Sequence, residues 1–269
     1  MKRGTLNLGL TLIGIVVVLA AVGLVWTPFD PTKITGSPLQ PPGWPHVLGT
    51  DGLGADVLSR LMSGAKICLL VGIVSVAGAA VVGVPIGIFS GMTRGWISDL
   101  PARLSDILYG FPALLLAILL AAAVGGSTWT AMIAISVATI PAFVRLARAA
   151  TYQVMSHGYI EAARVSGIPK VAIAVRHVLP NIAPVLGVQA SVSFGIAILA
   201  EAGLSYLGLG SGPEAPTWGR MLREAQDYLF NAPILALWPG LAIAVATMGF
   251  NLLGDGLRDL FDPRLREMS

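Results

Sequence analysis

A chain of 269 residues that is 55% hydrophobic and 12% charged, with a mean hydropathy of +0.79, is too apolar for a soluble domain, in which roughly 25% of residues carry charge. Its length holds about six membrane spans of roughly 20 residues each with short loops, and leaves no room for a soluble domain of useful size. The net charge of +3 does not mark a nucleic-acid binder, because the basic residues stand at segment ends rather than in one aromatic-interleaved patch.

Lys2 and Arg3 precede an apolar run from Leu6 to Trp26. That run exceeds the roughly 7–15 residues of a signal-peptide core and shows no small-x-small cleavage site, which predicts an uncleaved first span with its N-terminus inside. Thr27 to Val47 is broken by Pro, Gly and Thr and predicts an external loop. From Ala55 to Met62, Val57, Leu58, Leu61 and Met62 recur at helical spacing while Asp56, Ser59 and Arg60 fall on other faces, which predicts an interfacial amphipathic helix. The second span, about Ile67 to Ser90, carries Gly83, Gly87 and Gly91 in a small-residue stripe suited to close helix packing rather than to a gate, with Pro85 able to kink the same turn. Cys68 lies within it in an apolar context. As the single cysteine of the chain, it excludes an internal disulfide and a cysteine metal cluster.

Thr93 to Asp106 predicts a short charged turn. Asp106 and Tyr109-Gly110-Phe111-Pro112 then lead into a third span that ends near Gly125-Gly126. Thr128 to Arg148 predicts the fourth span, with Pro141 inside it and Arg145 and Arg148 at its inner end. Ser156 to Asn181 is the longest polar interruption after Trp129. Within it Gly158 precedes a helix that has Glu161 in its first turn, Gly167 stands where a left-handed C-terminal residue belongs, and Pro169 blocks continuation. The expected short helix, Tyr159 to Ser166, has Tyr159, Ala163 and Gly167 along one nearly bare side that another backbone can approach closely. It reads as a docking knuckle, or more blandly as a surface loop containing Glu-Ala-Ala.

Ile182 to Leu207 predicts the fifth span, rich in Ala, Gly and Ser, with Glu201 toward its outer end either as a functional group at membrane depth or as a carboxylate reaching water. Leu209 to Asn231 predicts an external loop with Glu214, Trp218, Arg220, Arg223, Glu224 and Asp227. Pro233 to Leu253 closes the set as the sixth span. No nucleotide-binding G-x-x-x-x-G-K-[ST] stretch occurs, His46, His157 and His177 lack metal spacing, and no paired carboxylates or Ser/His/Asp set points to an enzyme.

The spacing E-A-A-x-x-x-G of Glu161 to Gly167, followed by Leu179-Pro180, resembles the EAA loop of prokaryotic ABC importer permeases. His177, at a position that is hydrophobic in the generic motif, and the ending His177-x-Leu179-Pro180-Asn181 resemble the peptide and nickel branch. The block from Gly49 to Ala65 resembles the one preceding the second span in C-type permeases of dipeptide and oligopeptide importers, with Ala55 standing where arginine is usual. The stretch Asp106 to Leu116, the blocks Leu204-Ser205-Tyr206-Leu207-Gly208-Leu209-Gly210 and Pro216-x-Trp218-Gly219-x-Met221, and the ending from Asn251 to Asp259 with Asp262-Pro263-Arg264 resemble the same family.

That resemblance implies an all-α polytopic membrane protein of about six transmembrane helices with a type I ABC importer permease fold and both termini cytoplasmic. Residues 1–66 would hold the first helix and an external loop with the interfacial helix, and residues 67–269 the permease domain with its cytoplasmic loop 156–181. It implies a non-catalytic permease in the bacterial cytoplasmic membrane that forms half of a passage, with peptide as the leading substrate class. Its partners would be a homologous B-type permease, two ATP-binding subunits carrying ATP and Mg, an extracytoplasmic substrate-binding protein and membrane lipid. This chain would bind no cofactor, metal or nucleic acid. The contacts implied for the ATP-binding subunit are Tyr159, Glu161, Ala162, Ala163, Gly167, His177 and Pro180, and the external candidates are Glu201, Trp218 and Arg220.

The basic residues test the orientation independently. With the N-terminus inside, Lys2, Arg3, Arg94, Arg103, Arg145, Arg148, Arg164, Lys170, Arg176, Arg258, Arg264 and Arg266 are cytoplasmic, while only Lys33, Arg60, Lys66, Arg220 and Arg223 fall outside or at the edge, as the positive-inside rule requires. An ion-coupled secondary transporter is the rival class. It predicts ionisable groups near mid-membrane and a repeat symmetry around broken helices, whereas these spans carry acids only near their ends. A membrane scaffold would need neither knuckle nor external loops.

Overall fold

The computed structural model describes residues 2–93, 95–210, 212 and 215–261. Arg94, Glu214, Asp262-Pro263-Arg264 and Arg266 lie outside them. Ten α-helices occur among the described residues: α1 Lys2–Val25, α2 Val57–Met92, α3 Trp96–Tyr109, α4 Ala113–Val124, α5 Thr128–Met155, α6 Gly158–Val165, α7 Lys170–Ile173, α8 Leu179–Tyr206, α9 Trp218–Gln226 and α10 Ile234–Phe261. A five-residue π segment, Ala174–Val178, joins α7 to α8, making one helical path of 37 residues. Five helices are long and apolar enough to cross a membrane, and the bent pair α3–α4 brings the number to as many as six.

The first, second, fourth, fifth and sixth spans stand where the hydrophobic runs place them, and most run longer. At about 1.5 Å per residue, the 36 residues of α2 extend about 54 Å, well beyond a hydrocarbon core of about 30 Å. The surplus lies at its outer end, and this corrects the expected interfacial helix: Val57 to Met62 are the first turns of α2 itself. Asp56 caps them, its Oδ2 accepting from the Ser59 amide at 2.8 Å and from Ser59 Oγ at 2.7 Å, which satisfies donors that a helix start leaves open. Asp56, Ser59 and Arg60, expected on solvent-facing sides, are buried because the loop folds over them.

The third span differs more. Thr93 to Asp106 is not a turn, since most of it belongs to α3, and α4 has only 12 residues, about 18 Å of helix. The two helices meet at a 91° bend. Pro112 has no amide hydrogen to continue the ladder and forces Phe111 out of the helical region, so the chain turns at Gly110-Phe111-Pro112 instead of running straight. α5 and α10 each continue about two turns past their expected inner ends, to Met155 and Phe261.

Two apolar cores organise the bundle. One joins α2, α4, α5 and α8 and reaches the inner end through Ile160, Ile173 and Val178. The other joins α1, α2, α8, α9 and α10 around Trp218. The small-residue stripe of α2 is a packing seam against α5: a Cβ on Gly83, Gly87 or Gly91 would lie 2.8 Å from Phe143 Cβ, 2.6 Å from Ala147 Cβ or 2.7 Å from Thr151 Cβ respectively.

The external layer is more ordered than its Pro- and Gly-rich sequence indicates. Thr50 Oγ1 donates to the Ser37 carbonyl at 2.6 Å and accepts from the Gln40 amide at 2.8 Å. His46 Nδ1 stands 3.0 Å from Asp56 Oδ1. At the loop surface, hydrogen bonds from the Thr32 hydroxyl and amide, with Lys33 beside it, hold the Asp30 carboxyl down at about 2. Arg60 pairs with Asp51 and, at 2.7 Å, with Glu224, tying α2, the loop and α9 together. Arg60→Ala removes one partner each from Asp51, which keeps the Leu53 and Ala55 amides, and from Glu224, which keeps Arg220, and is expected to destabilise this layer by about 1–3 kcal/mol. Limited proteolysis between Asp30 and Asp56 should accelerate accordingly, while unchanged cleavage would deny the Arg60 ion pairs that role.

Candidate functional site

At the inner end, the chain leaves α5, makes the short helix α6, turns at Gly167 and enters α7. His157 occupies the cap position in extended geometry, and Glu161 lies in the first turn, where the helix dipole favours a carboxylate. Gly167 has a φ of 74°, the left-handed conformation that lets the Ile168 amide reach back to the Ala163 carbonyl at 3.1 Å and the Gly167 amide to the Arg164 carbonyl at 3.0 Å. Pro169 then caps α7. The expected helix is in place, with both ends one residue earlier than expected, and Gly167 and Pro169 stand as its left-handed terminator and proline stop.

The face assignment requires correction. Ile160 and Ala163 are buried against Ile173 and Val178, so Ala163 belongs to the side on which α6 sits and not to an exposed docking side. Gly158, Glu161, Ala162 and Val165 lie on the outward crown, with Val165 85% exposed. Tyr159 is on one flank, its ring centroid 5.6 Å from that of His157 and 6.2 Å from that of His177, and Arg164 is on the other. His177 lies on the π segment, half-buried, where it links α6 to the base of α8. Pro180 is exposed in the first turn of α8. Tyr159, Glu161, Ala162 and His177 thus form one small protrusion with Gly167 at its hinge, and Pro180 lies below it. Val165 was missed, because an exposed valine beside a glycine turn carries no sequence signal until the buried face is known.

The external candidates do not form one exposed surface. Trp218 is 1% exposed and donates its indole N–H to the Leu61 carbonyl at 2.9 Å, anchoring α9 on α2. Glu201 is also buried and accepts from Ser205 Oγ at 2.7 Å, so it neither reaches water nor faces outward. Of the three, Arg220 lines an external cleft with Arg223 and Asp227, donating to Glu224 Oε1 at 2.8 Å and to the Gly212 carbonyl at 3.2 Å. Among the described residues no group of His, Cys, Asp and Glu is placed to hold a metal ion.

Between the α3–α4 corner, α5 and α8 opens a groove of about 800 Å³. Its polar lining comprises Thr139, Arg145, Gln189 and Ser193 among alanines and valine. Gln189 donates to Ser193 Oγ at 3.0 Å, and the Arg145 guanidinium lies 4.2 Å over the Tyr109 ring with its Nε 3.8 Å from Asp106.

The chain is similar to known membrane transport proteins. Residues 83–267 match the family described as "Binding-protein-dependent transport system inner membrane component". The chain is 40% identical over 229 residues to the dipeptide transport system permease protein DppC of Alkalihalophilus pseudofirmus, covering 85% of this chain and 75% of that one. It is 39% identical over 267 residues to the di/tripeptide transport system permease protein DppC of Pseudomonas aeruginosa, covering 96% and 88%. It is 41% identical over 225 residues to the glutathione transport system permease protein GsiD of Pectobacterium atrosepticum, covering 84% and 75%. Among solved structures, a chain of the MetNI methionine ABC transporter in an inward-facing conformation superposes with a TM-score of 0.62 at 19% identity, over 76% of this chain and 97% of that chain.

Proposed function

Since this chain belongs to the binding-protein-dependent transport system inner membrane components, and is therefore a multi-pass permease of an ABC importer working with a binding protein and an ATPase, we propose that its cargo is short peptides. The observation that carries this is similarity at about 40% identity, over 84% to 96% of the chain, to permeases named for dipeptide, di/tripeptide and glutathione transport. Glutathione is itself a peptide, so one cargo class covers all three. The ion-coupled carrier lapses with the family assignment.

In this reading the groove between α4, α5 and α8 faces a homologous B-type permease, and the two halves close around the passage. Thr139, Gln189 and Ser193 offer neutral donors and acceptors to a peptide backbone, and the Arg145 guanidinium in the same lining is engaged by the Tyr109 ring and Asp106. The α6 crown seats in one of two ATP-binding subunits, which supply ATP and Mg. Closure of those subunits would move α6 as a rigid lever, with α5 and the long α7–α8 path following. The Tyr159–His177 contact stiffens its attachment, and Glu161 is placed to accept a charge-assisted hydrogen bond at the seat.

The test is ATP-dependent uptake of labelled di- to pentapeptides into vesicles containing the reconstituted complex and its binding protein. Saturable uptake of peptides and not of free amino acids is expected. Failure to take up any peptide while another solute is transported with ATP hydrolysis would overturn the cargo assignment.

A further inference from the structure

At the inner end a second cleft, of about 500 Å³, is lined by Gly91, Met92 and Thr93 of the α2 terminus, Tyr152, Met155 and Ser156 of α5, Arg164 of α6, and Lys170 and Ile173 of α7. Two cations and no carboxylate line it. Among the described residues neither Arg164 nor Lys170 enters an ion pair. We propose that this cleft binds the phosphate headgroup of an anionic phospholipid from the inner leaflet, with Arg164 and Lys170 on the phosphate and the half-buried Met92 and Met155 against the start of the acyl chains.

Depth supports a lipid. α2 carries no charged residue from Ile67 to Met92, a stretch of about 39 Å that spans the hydrocarbon core and leaves Thr93 at its inner boundary. Exposed Tyr152 in the cleft wall and exposed Trp96 just beyond the α2 terminus mark the same level, since amphipathic rings collect at the headgroup layer. Basic pockets between helices on the cytoplasmic side are suited to anionic headgroups. Direction separates this site from the coupling surface. At about 100° per residue, Arg164 falls beside the buried Ile160–Ala163 side of α6 and turns back over the cleft, while Glu161, Ala162 and Val165 form the outward crown. A lipid held there would brace the root of α6 without occupying its docking face.

The proposal does not depend on which solute is carried. The experiment titrates phosphatidylglycerol from mixed micelles onto the importer complex purified through this chain and counts bound lipid by native mass spectrometry. The double variant Arg164→Gln/Lys170→Gln should bind about 25-fold more weakly, given about a fivefold contribution from each cation near the membrane surface. Charge-preserving Arg164→Lys/Lys170→Arg should restore binding, and Arg258→Gln, at the end of α10, should leave it unchanged. Phosphatidylcholine should not compete. Equal phosphatidylglycerol binding by the double variant would overturn the proposal. So would displacement of the lipid by millimolar inorganic phosphate, which would identify a free-anion site, or loss of the ATP-binding subunit from the double variant with lipid binding intact, which would identify a protein contact.

Discussion

Ala162→Trp is expected to cut ATP-driven uptake sharply while leaving the inserted chain as stable as the parent. Ala162 is exposed on the crown of α6, and surface substitutions usually change stability by about 0.5 kcal/mol or less. Against a fitted partner the same bulk overpacks. Overpacking typically costs about 1–3 kcal/mol, which translates into an association with the ATP-binding subunit weaker by about 5- to 150-fold. Pull-down of that subunit and thermal unfolding of the chain read the two quantities separately. Uptake and association at parental levels would place the coupling contact elsewhere. Gly167 is a poorer probe. No neighbour lies within 4 Å of a Cβ there, but its left-handed φ penalises any side chain by about 1–2 kcal/mol, so loss of function would not separate a blocked seat from a distorted turn.

Gly87→Leu is expected to prevent stable folding in the membrane. Its Cβ would stand 2.6 Å from both Ala147 Cβ and the Val144 carbonyl. The carbonyl is backbone and has no rotamer by which to retreat, so α2 and α5 must separate along the seam that joins the largest core. The cost exceeds the roughly 3 kcal/mol of ordinary overpacking. The measurement is the yield of inserted, protease-resistant chain. Gly187→Leu in α8 is the matched control, since nothing lies within 4 Å of a Cβ there, and it should give a parental yield. Equal yields from the two variants would show that the α2–α5 approach is looser than the structure has it.

Spans were legible because lipid demands long apolar helices, and the runs around Val16, Val76, Ile135, Ile198 and Ile243 satisfy that demand without ambiguity. The α6 turn was legible for a different reason: Gly167 and Pro169 are residues whose backbone chemistry allows few alternatives. What failed was facing. Ala163 looks like part of a bare docking side because its small size suits close approach equally well toward a partner or toward the chain's own core, and only the burial of Ile160 decides between them. Trp218 and Glu201 were placed outside by their position near a span end, yet the loop over residues 26–56 and α9 form a lid that turns the outer membrane boundary into protein interior. The α3–α4 corner was hidden because hydropathy averages across Gly110-Phe111-Pro112, where the backbone turns. The groove at Thr139, Gln189 and Ser193 was invisible for a related reason: the Ala- and Gly-rich faces of α5 and α8 carry too little polarity contrast to reveal helix rotation.

The central claim, that α6 is the contact through which the ATPase drives this permease, is most directly tested by cross-linking from its crown. Cys68 is buried, so Val165→Cys introduces one accessible thiol. In the assembled complex a short bifunctional reagent at that thiol is predicted to capture the ATP-binding subunit, with a yield that changes when a non-hydrolysable ATP analogue is added. A thiol at residue 165 that stays freely reactive in the assembled, transport-competent complex and captures no ATP-binding subunit would contradict the account.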